Sequence, residues 1–171
     1  MTTIRRVLRK VVPIQRTRTR SHGAPGGKGV DYEGSWNQYA RDWRTRFPTL
    51  SHLGDEWTGR ESGAARSVDE YVSLIAQRFI APYIEDTDTV LEIGVGGGRT
   101  AVLLRRYAAE LICADIAAEM LDVTRTRLGD DGVRYVKLDG VRLDGIPQRA
   151  VDVCFIFDTL VTSSRGTSST T

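Results

Sequence analysis

Val90–Gly98 reads VLEIGVGGG. An apolar strand runs straight into a glycine-rich turn, and a helical pattern follows from Arg99. Glycines in such a turn let the backbone reverse sharply and let a ligand approach without Cβ obstruction. The next helix offers free N–H groups and a positive dipole end. Gly94, Gly96 and Gly98 make G-x-G-x-G, whereas the dinucleotide fingerprint G-x-G-x-x-G needs glycine at 99, where this chain has Arg99. That departure ranks a nicotinamide-dependent oxidoreductase low, although a glycine-rich turn alone discriminates weakly. Glu92 lies within the strand itself, two residues before the glycines. An unpaired charge there is costly, so a partner is due near the strand's carboxyl end.

Downstream, short apolar runs alternate with helical segments. The pattern predicts strands over 89–93, 111–115, 133–138 and 151–157, and helices over 99–109 and 118–128. Near-continuous apolar runs mark strands covered on both faces, and their alternation with helices implies right-handed crossovers and a parallel sheet. Asp115 closes the second strand, 21 residues after Gly94. An acid at this spacing can accept hydrogen bonds from both ribose hydroxyls of a nucleoside at the sheet's carboxyl edge.

Upstream, two helices are expected. In the first, Ser35 is the candidate N-cap, Trp36, Tyr39, Ala40, Trp43 and Phe47 share a face, and Pro48 follows. That aromatic stripe reads as core packing or as a lid over a pocket. The second opens with a capping box, Ser67-x-x-Glu70. It carries Tyr71, Leu74, Ile75, Arg78 and Phe79, and stops before Pro82. Residues 48–66 have no clean period and are long for a passive connection, which suggests a binding loop.

Composition bounds the rest. The chain has 171 residues, 40% hydrophobic and 27% charged. This excludes wholesale disorder, and no apolar run approaches the ~20 residues of a membrane-spanning helix. The net charge is +2, but residues 1–30 carry eight Lys/Arg and no acid, leaving −6 on the remainder. A basic arm on an acidic body argues against a broad nucleic-acid-binding face. Within the arm, Ile4, Val7, Leu8, Val11 and Val12 follow helical spacing. The pattern predicts a short amphipathic basic helix over 4–12, ended near Pro13, with a solvated arm, a weak membrane-surface contact or an organelle-targeting segment as its readings. Residues 21–34 read as a glycine-rich linker, with His22 in solvent. His52 has no second His or Cys nearby, and no metal site is expected. Cys113 and Cys154 fall in the second and fourth strands, too far apart to pair if the first lies between them. Free thiols agree with a cytoplasmic location.

VLEIGVGGG, LICADIAAEML, VKLDG and VDVCFIFDTL, in that order, resemble the class I S-adenosylmethionine-dependent methyltransferases of the small-molecule type. The resemblance covers about residues 90–160. It implies an α/β Rossmann-like fold, a parallel sheet in the order third–second–first–fourth with flanking helices, and S-adenosyl-L-methionine as cofactor. The backbone of Gly94, Gly96 and Gly98 would approach the amino-acid part of the cofactor, with Glu92 organising that loop. Asp115 would hold the ribose, Ile116 and Met120 would flank the adenine, and Asp139 with Gly140 would face its amino group. Asp158 would lie near the transferable methyl and is the one weak candidate for a proton acceptor. Simpler readings stand beside these: Asp115 as a strand-end acid, Asp139-Gly140 as an ordinary turn, Asp152 as a helper of the turn into the fourth strand.

Family members continue past the fourth strand with further helices and strands. Residues 162–171 instead read as a Ser/Thr-rich disordered tail. The expected organisation is an arm and linker over 1–34, a partial methyltransferase domain over 35–161, and that tail. On this reading the C-terminal strands are lacking, the chain is truncated or frame-shifted, and residues 151–157 form an uncovered apolar edge. The expected function is methyl transfer to a small molecule. The rival is a catalytically inactive nucleoside-binding or structural fragment. No Asp/Asn-Pro-Pro-Tyr/Phe-like run follows the fourth strand to support base methylation.

Overall fold

The structure, a computed structural model, describes residues 10–11, 31–57 and 66–159. Its centre is a parallel sheet of β2 (Thr89–Ile93), β3 (Glu110–Asp115), β4 (Val133–Lys137) and β5 (Val153–Ile156) in the order β5-β2-β3-β4. Glu92 pairs with Cys113 on one side and Phe155 on the other, and Asp115 pairs with Lys137. This is the third–second–first–fourth order. Five of the six β3 residues are buried, as expected of a central strand with both faces covered.

The strand period of two divides the core. Val90, Leu111, Cys113, Val153 and Phe155 face one way and pack with Ile75, Ile80, Leu103, Leu104 and Leu121 from the helices. Leu91, Ile112, Ala114 and Val136 face the other way and gather Leu138, Ile146 and Val151. Each large apolar side chain so buried contributes about 1.5–3 kcal/mol. Cys113 and Cys154 are both free; besides lying two strands apart they belong to opposite faces of the sheet.

The helices are α1 (Tyr32–Arg46), α2 (Val68–Ile75), α3 (Arg99–Leu104) and α4 (Ala118–Leu128). α1 starts three residues before the expected cap. Asp31, not Ser35, is its N-cap and accepts from Gly34 N, while Ser35 lies inside the first turn and donates its hydroxyl back to Asp31 O. The capping box at α2 is half formed. Ser67 accepts from Glu70 N, but Glu70 reaches one residue further back, to Arg66 N at 2.7 Å. α2 widens into a π-helical turn, Ala76–Ile80, whose last bond runs from Ala81 N to Ala76 O just before Pro82. α3 is shorter than the predicted 99–109, because the chain leaves it in tight turns after Leu104.

The outer edge of β5 is not bare. β1 (Lys10–Val11) lies along it in parallel, Lys10 opposite Val153 and Val11 opposite Cys154. Two residues of the stretch expected to be helical are therefore strand. An apolar edge with unpaired N–H and C=O groups rewards backbone pairing, which a two-turn helix marginal in water does not match. The rest of that stretch, His22 and the Ser/Thr-rich tail lie outside the described residues. Among the described residues no helix is long and apolar enough to cross a membrane.

Candidate active site

The carboxyl ends of β2, β3 and β5 meet at the glycine turn. Gly94, Gly96 and Gly98 all have φ between 54° and 76°, a region that other L-residues rarely adopt. Gly94 N donates to Ala114 O at 2.7 Å, which ties the turn to the end of β3. Gly97 serves a different purpose. A Cβ there would run into the backbone carbonyl of Leu53, so the glycine makes room for the segment after α1.

Asp115 is 6% exposed. Its Oδ2 accepts from Gly96 N at 3.0 Å and its Oδ1 from Ala117 N at 2.9 Å. Burial raises its pKa; backbone N–H donors and the Lys137 charge pull the other way. Glu92, 1% exposed, accepts from the Thr100 hydroxyl through Oε1, the partner that a charged residue inside a strand requires. Its Oε2 has no hydrogen-bond partner. Burial pushes Glu92 up to about 8, the Thr100 bond opposes this, and the nearby Asp115 charge adds to it.

The other expected residues are placed as follows. Ile116 touches the position a Gly140 Cβ would occupy, 3.6 Å from its Cγ2. Met120 is buried, but in a cluster with Trp43, Leu53 and Ala117 under α1. Asp139 stands apart: its carboxylate accepts from Val141 N, Arg142 N and Arg142 Nε, all in its own loop. Those donors hold its pKa down at about 2. Asp158 sits at the rim with φ 57°; partial burial raises its pKa and Arg99 lowers it. Asp152 lies at the opposite end of the sheet, where it accepts from Thr89 N. Among the described residues no group of His, Cys, Asp and Glu could hold a metal ion.

Residues 50–57 form a flap over the glycine turn. Glu56 is its hub, accepting from Tyr39 Oη, Trp43 Nε1 and Gly54 N. The aromatic stripe of α1 therefore holds the flap and packs on α4, with Trp43 only 4% exposed. Arg127 bonds Gly97 O at 3.2 Å and Leu53 O at 3.5 Å and pairs with Asp55. Thr124 Oγ1 donates to Gly96 O at 2.8 Å. Arg99 donates to Trp57 O and lies over the Tyr71 ring. Thr100, Thr124 and Arg127 belong to no motif of the sequence. A signal was present: Thr124 and Arg127 fall four and seven residues after Met120, polar residues in a helical stripe that should be apolar.

Residues 91–166 match the family model for a methyltransferase domain. Over this segment the chain is similar to that family. A stretch of 72 residues is 38% identical to a methyltransferase of Claviceps purpurea (strain 20.1), covering 42% of this chain and 23% of that protein. The chain thus spans about a quarter of the length of this curated relative. Among solved structures, magnesium protoporphyrin IX methyltransferase from Synechocystis PCC 6803, with S-adenosylhomocysteine bound, superposes with a TM-score of 0.54 at 16% identity, over 77% of this chain and 58% of that one. That likeness is one of fold. The matched segment opens inside β2 and takes in the glycine turn, Asp115, Asp139 and Asp158, while α1 and the flap precede it.

Proposed function

We propose that the site binds S-adenosyl-L-methionine and serves methyl transfer to a small-molecule acceptor. One observation carries this reading. The Asp115 carboxylate is pinned by Gly96 N and Ala117 N at the sheet's carboxyl edge. An ionised carboxylate has about four acceptor sites, so two remain for a pair of ribose hydroxyls. The residues fit the cofactor in two further ways. The backbone of Gly94 and Gly96 is free of Cβ, and the unpartnered Glu92 Oε2 is left for a polar group of the ligand.

Glu92, Gly94, Gly96 and Gly98 would hold the amino-acid part, and Asp115 the ribose. Ile116 and Gly140 would close on the adenine, with Met120 behind them and Asp139 at the far wall. The bound cofactor supplies an electrophilic methyl group on a sulfonium. The chain's task is then mainly to orient the acceptor and keep water away. Phe157, Phe79 and Tyr71, partly buried, pack ring to ring beside Asp158, which suits an acceptor with an apolar body. Asp158, its pKa raised, would take a proton at its carboxylate from an acceptor that must lose one. The −6 charge on residues 31–171 disfavours a polyanionic acceptor. Two free cysteines support a cytoplasmic setting.

Titration calorimetry with S-adenosylhomocysteine tests the cofactor, and transfer of labelled methyl over a small-molecule panel tests the activity. Binding that disappears in Asp115→Ala is expected. Equal binding by wild type and Asp115→Ala, or none by either, overturns the assignment. Binding without transfer to any acceptor would favour the inactive nucleoside-binding fragment.

A further inference from the structure

We infer that Thr159 sets this site's affinity for its cofactor, by filling with its own hydroxyl the position that suits a primary ammonium group. The inference rests on the cofactor reading above and adds a competitor to it.

Three backbone carbonyls converge where β2 and β5 end. Thr159 Oγ1 lies 3.1 Å from Ile93 O, 3.2 Å from Phe157 O and 3.5 Å from Gly94 O. A hydroxyl has one proton and can satisfy one of these acceptors at a time. A primary ammonium has three N–H donors and a positive charge, and hydrogen bonds from charged donors are roughly twice as strong as neutral ones. The cradle therefore complements an ammonium better than the group that fills it.

Two backbone features put Thr159 there. Asp158 turns the chain at φ 57°, a conformation uncommon outside glycine although tolerated by Asp. This brings residue 159 back over β2. Gly94, at φ 75°, leaves the notch it enters, since a Cβ on Gly94 would collide with the Thr159 side chain. Val95, Cys113 and the ribose-side acid Asp115 take no part in any of these contacts. Thr159 thus opposes the amino-acid half of the cofactor.

The test compares two ligands on three proteins by titration calorimetry. S-adenosylhomocysteine carries the α-ammonium; 5′-methylthioadenosine has the nucleoside and sulfur but no amino acid. In Thr159→Ala, affinity for S-adenosylhomocysteine is expected to rise about five- to tenfold, the net worth of one displaced hydrogen bond. Affinity for 5′-methylthioadenosine should stay unchanged, and Thr159→Ser, which keeps the hydroxyl, should match wild type for both. Unchanged or weaker S-adenosylhomocysteine binding in Thr159→Ala overturns the inference. So does an equal shift for both ligands, which would mean that the substitution acts through the fold. If neither ligand binds any of the three proteins while each melts cooperatively, the cofactor reading itself fails and takes this inference with it.

Discussion

The carboxyl ends of β3 and β4 look alike in sequence and differ in build. Each strand runs out into an aspartate, Asp115 and Asp139. Asp115 is buried and bonded to the glycine turn of β2 and to the start of α4, so it joins three elements. Asp139 is exposed and bonded only to the next residues of its own loop. Their pKa values move in opposite directions, up for Asp115 by burial and down to about 2 for Asp139 by local donors. What an acid can do for a ligand depends on which donors already hold it, and spacing does not reveal them.

The largest contrast is expected from alanine at the two positions. Asp115→Ala strands the N–H groups of Gly96 and Ala117, and each buried unsatisfied donor costs about 1–3 kcal/mol. S-adenosylhomocysteine affinity should fall by at least about 100-fold, two charge-assisted bonds being lost. A comparable fall in Asp139→Ala would erase the distinction between the two ends.

Next comes the cover over the β3 end. Gly97→Ala drives a Cβ into the Leu53 carbonyl and should cost about 1–3 kcal/mol, the range for overpacking. All three tryptophans, Trp36, Trp43 and Trp57, lie in α1 or the flap. Flap release should therefore red-shift the tryptophan emission. A destabilised protein with unshifted emission would show that the flap is held by contacts other than Gly97.

The pH dependence should then separate the acids by sign. Glu92 is raised from 4.5 to about 8, so the folded state holds its proton more tightly than the unfolded state. Its contribution is full below pH 4.5 and is lost as pH rises through about 8; the raised Asp115 adds to this slope. Asp139 runs the other way, its contribution present above 3.8 and lost as pH falls through about 2. Urea midpoints between pH 5 and 8.5 should decline in wild type and flatten in Glu92→Gln. A slope unaffected by that substitution removes Glu92 as its source.

The smallest effect is Asp139→Ala at neutral pH. Its melting midpoint should stay within the scatter of ordinary surface substitutions, and S-adenosylhomocysteine should bind about fivefold more weakly, one net hydrogen bond. No change in affinity would take Asp139 out of the site.

Much of the fold was legible because its signals are local. A buried parallel strand must be apolar throughout, a glycine turn must have its glycines in place, and α4 was read over 118–128, as observed. The end of α3 was not, since Tyr107 and Ala108 continue its apolar pattern but lie in turns. The cap of α1 is not legible locally because Asp31 and Ser35 are both good caps, and the choice falls to the residue from which the chain enters the helix. Val7, Leu8, Val11 and Val12 fit a helical face where β1 lies, whereas the partner that decides, the edge of β5, is some 140 residues away.

By itself, the sequence determined the order of the four central strands and four helices, the glycine turn and the two acids at strand ends, because backbone conformation and burial are written into residue type at short range. Only the tertiary structure decided that Glu92 is partnered by Thr100, that Asp115 is held from two sides while Asp139 holds only its own loop, that Gly97 exists to admit Leu53, and that Thr159 fills the notch left by Gly94. The contacts of Asp115 with Gly96, of Gly97 with Leu53 and of Thr159 with Gly94 join segments distant in the chain. Those contacts depend on where the packed core places the segments, and no local pattern of residues encodes that placement.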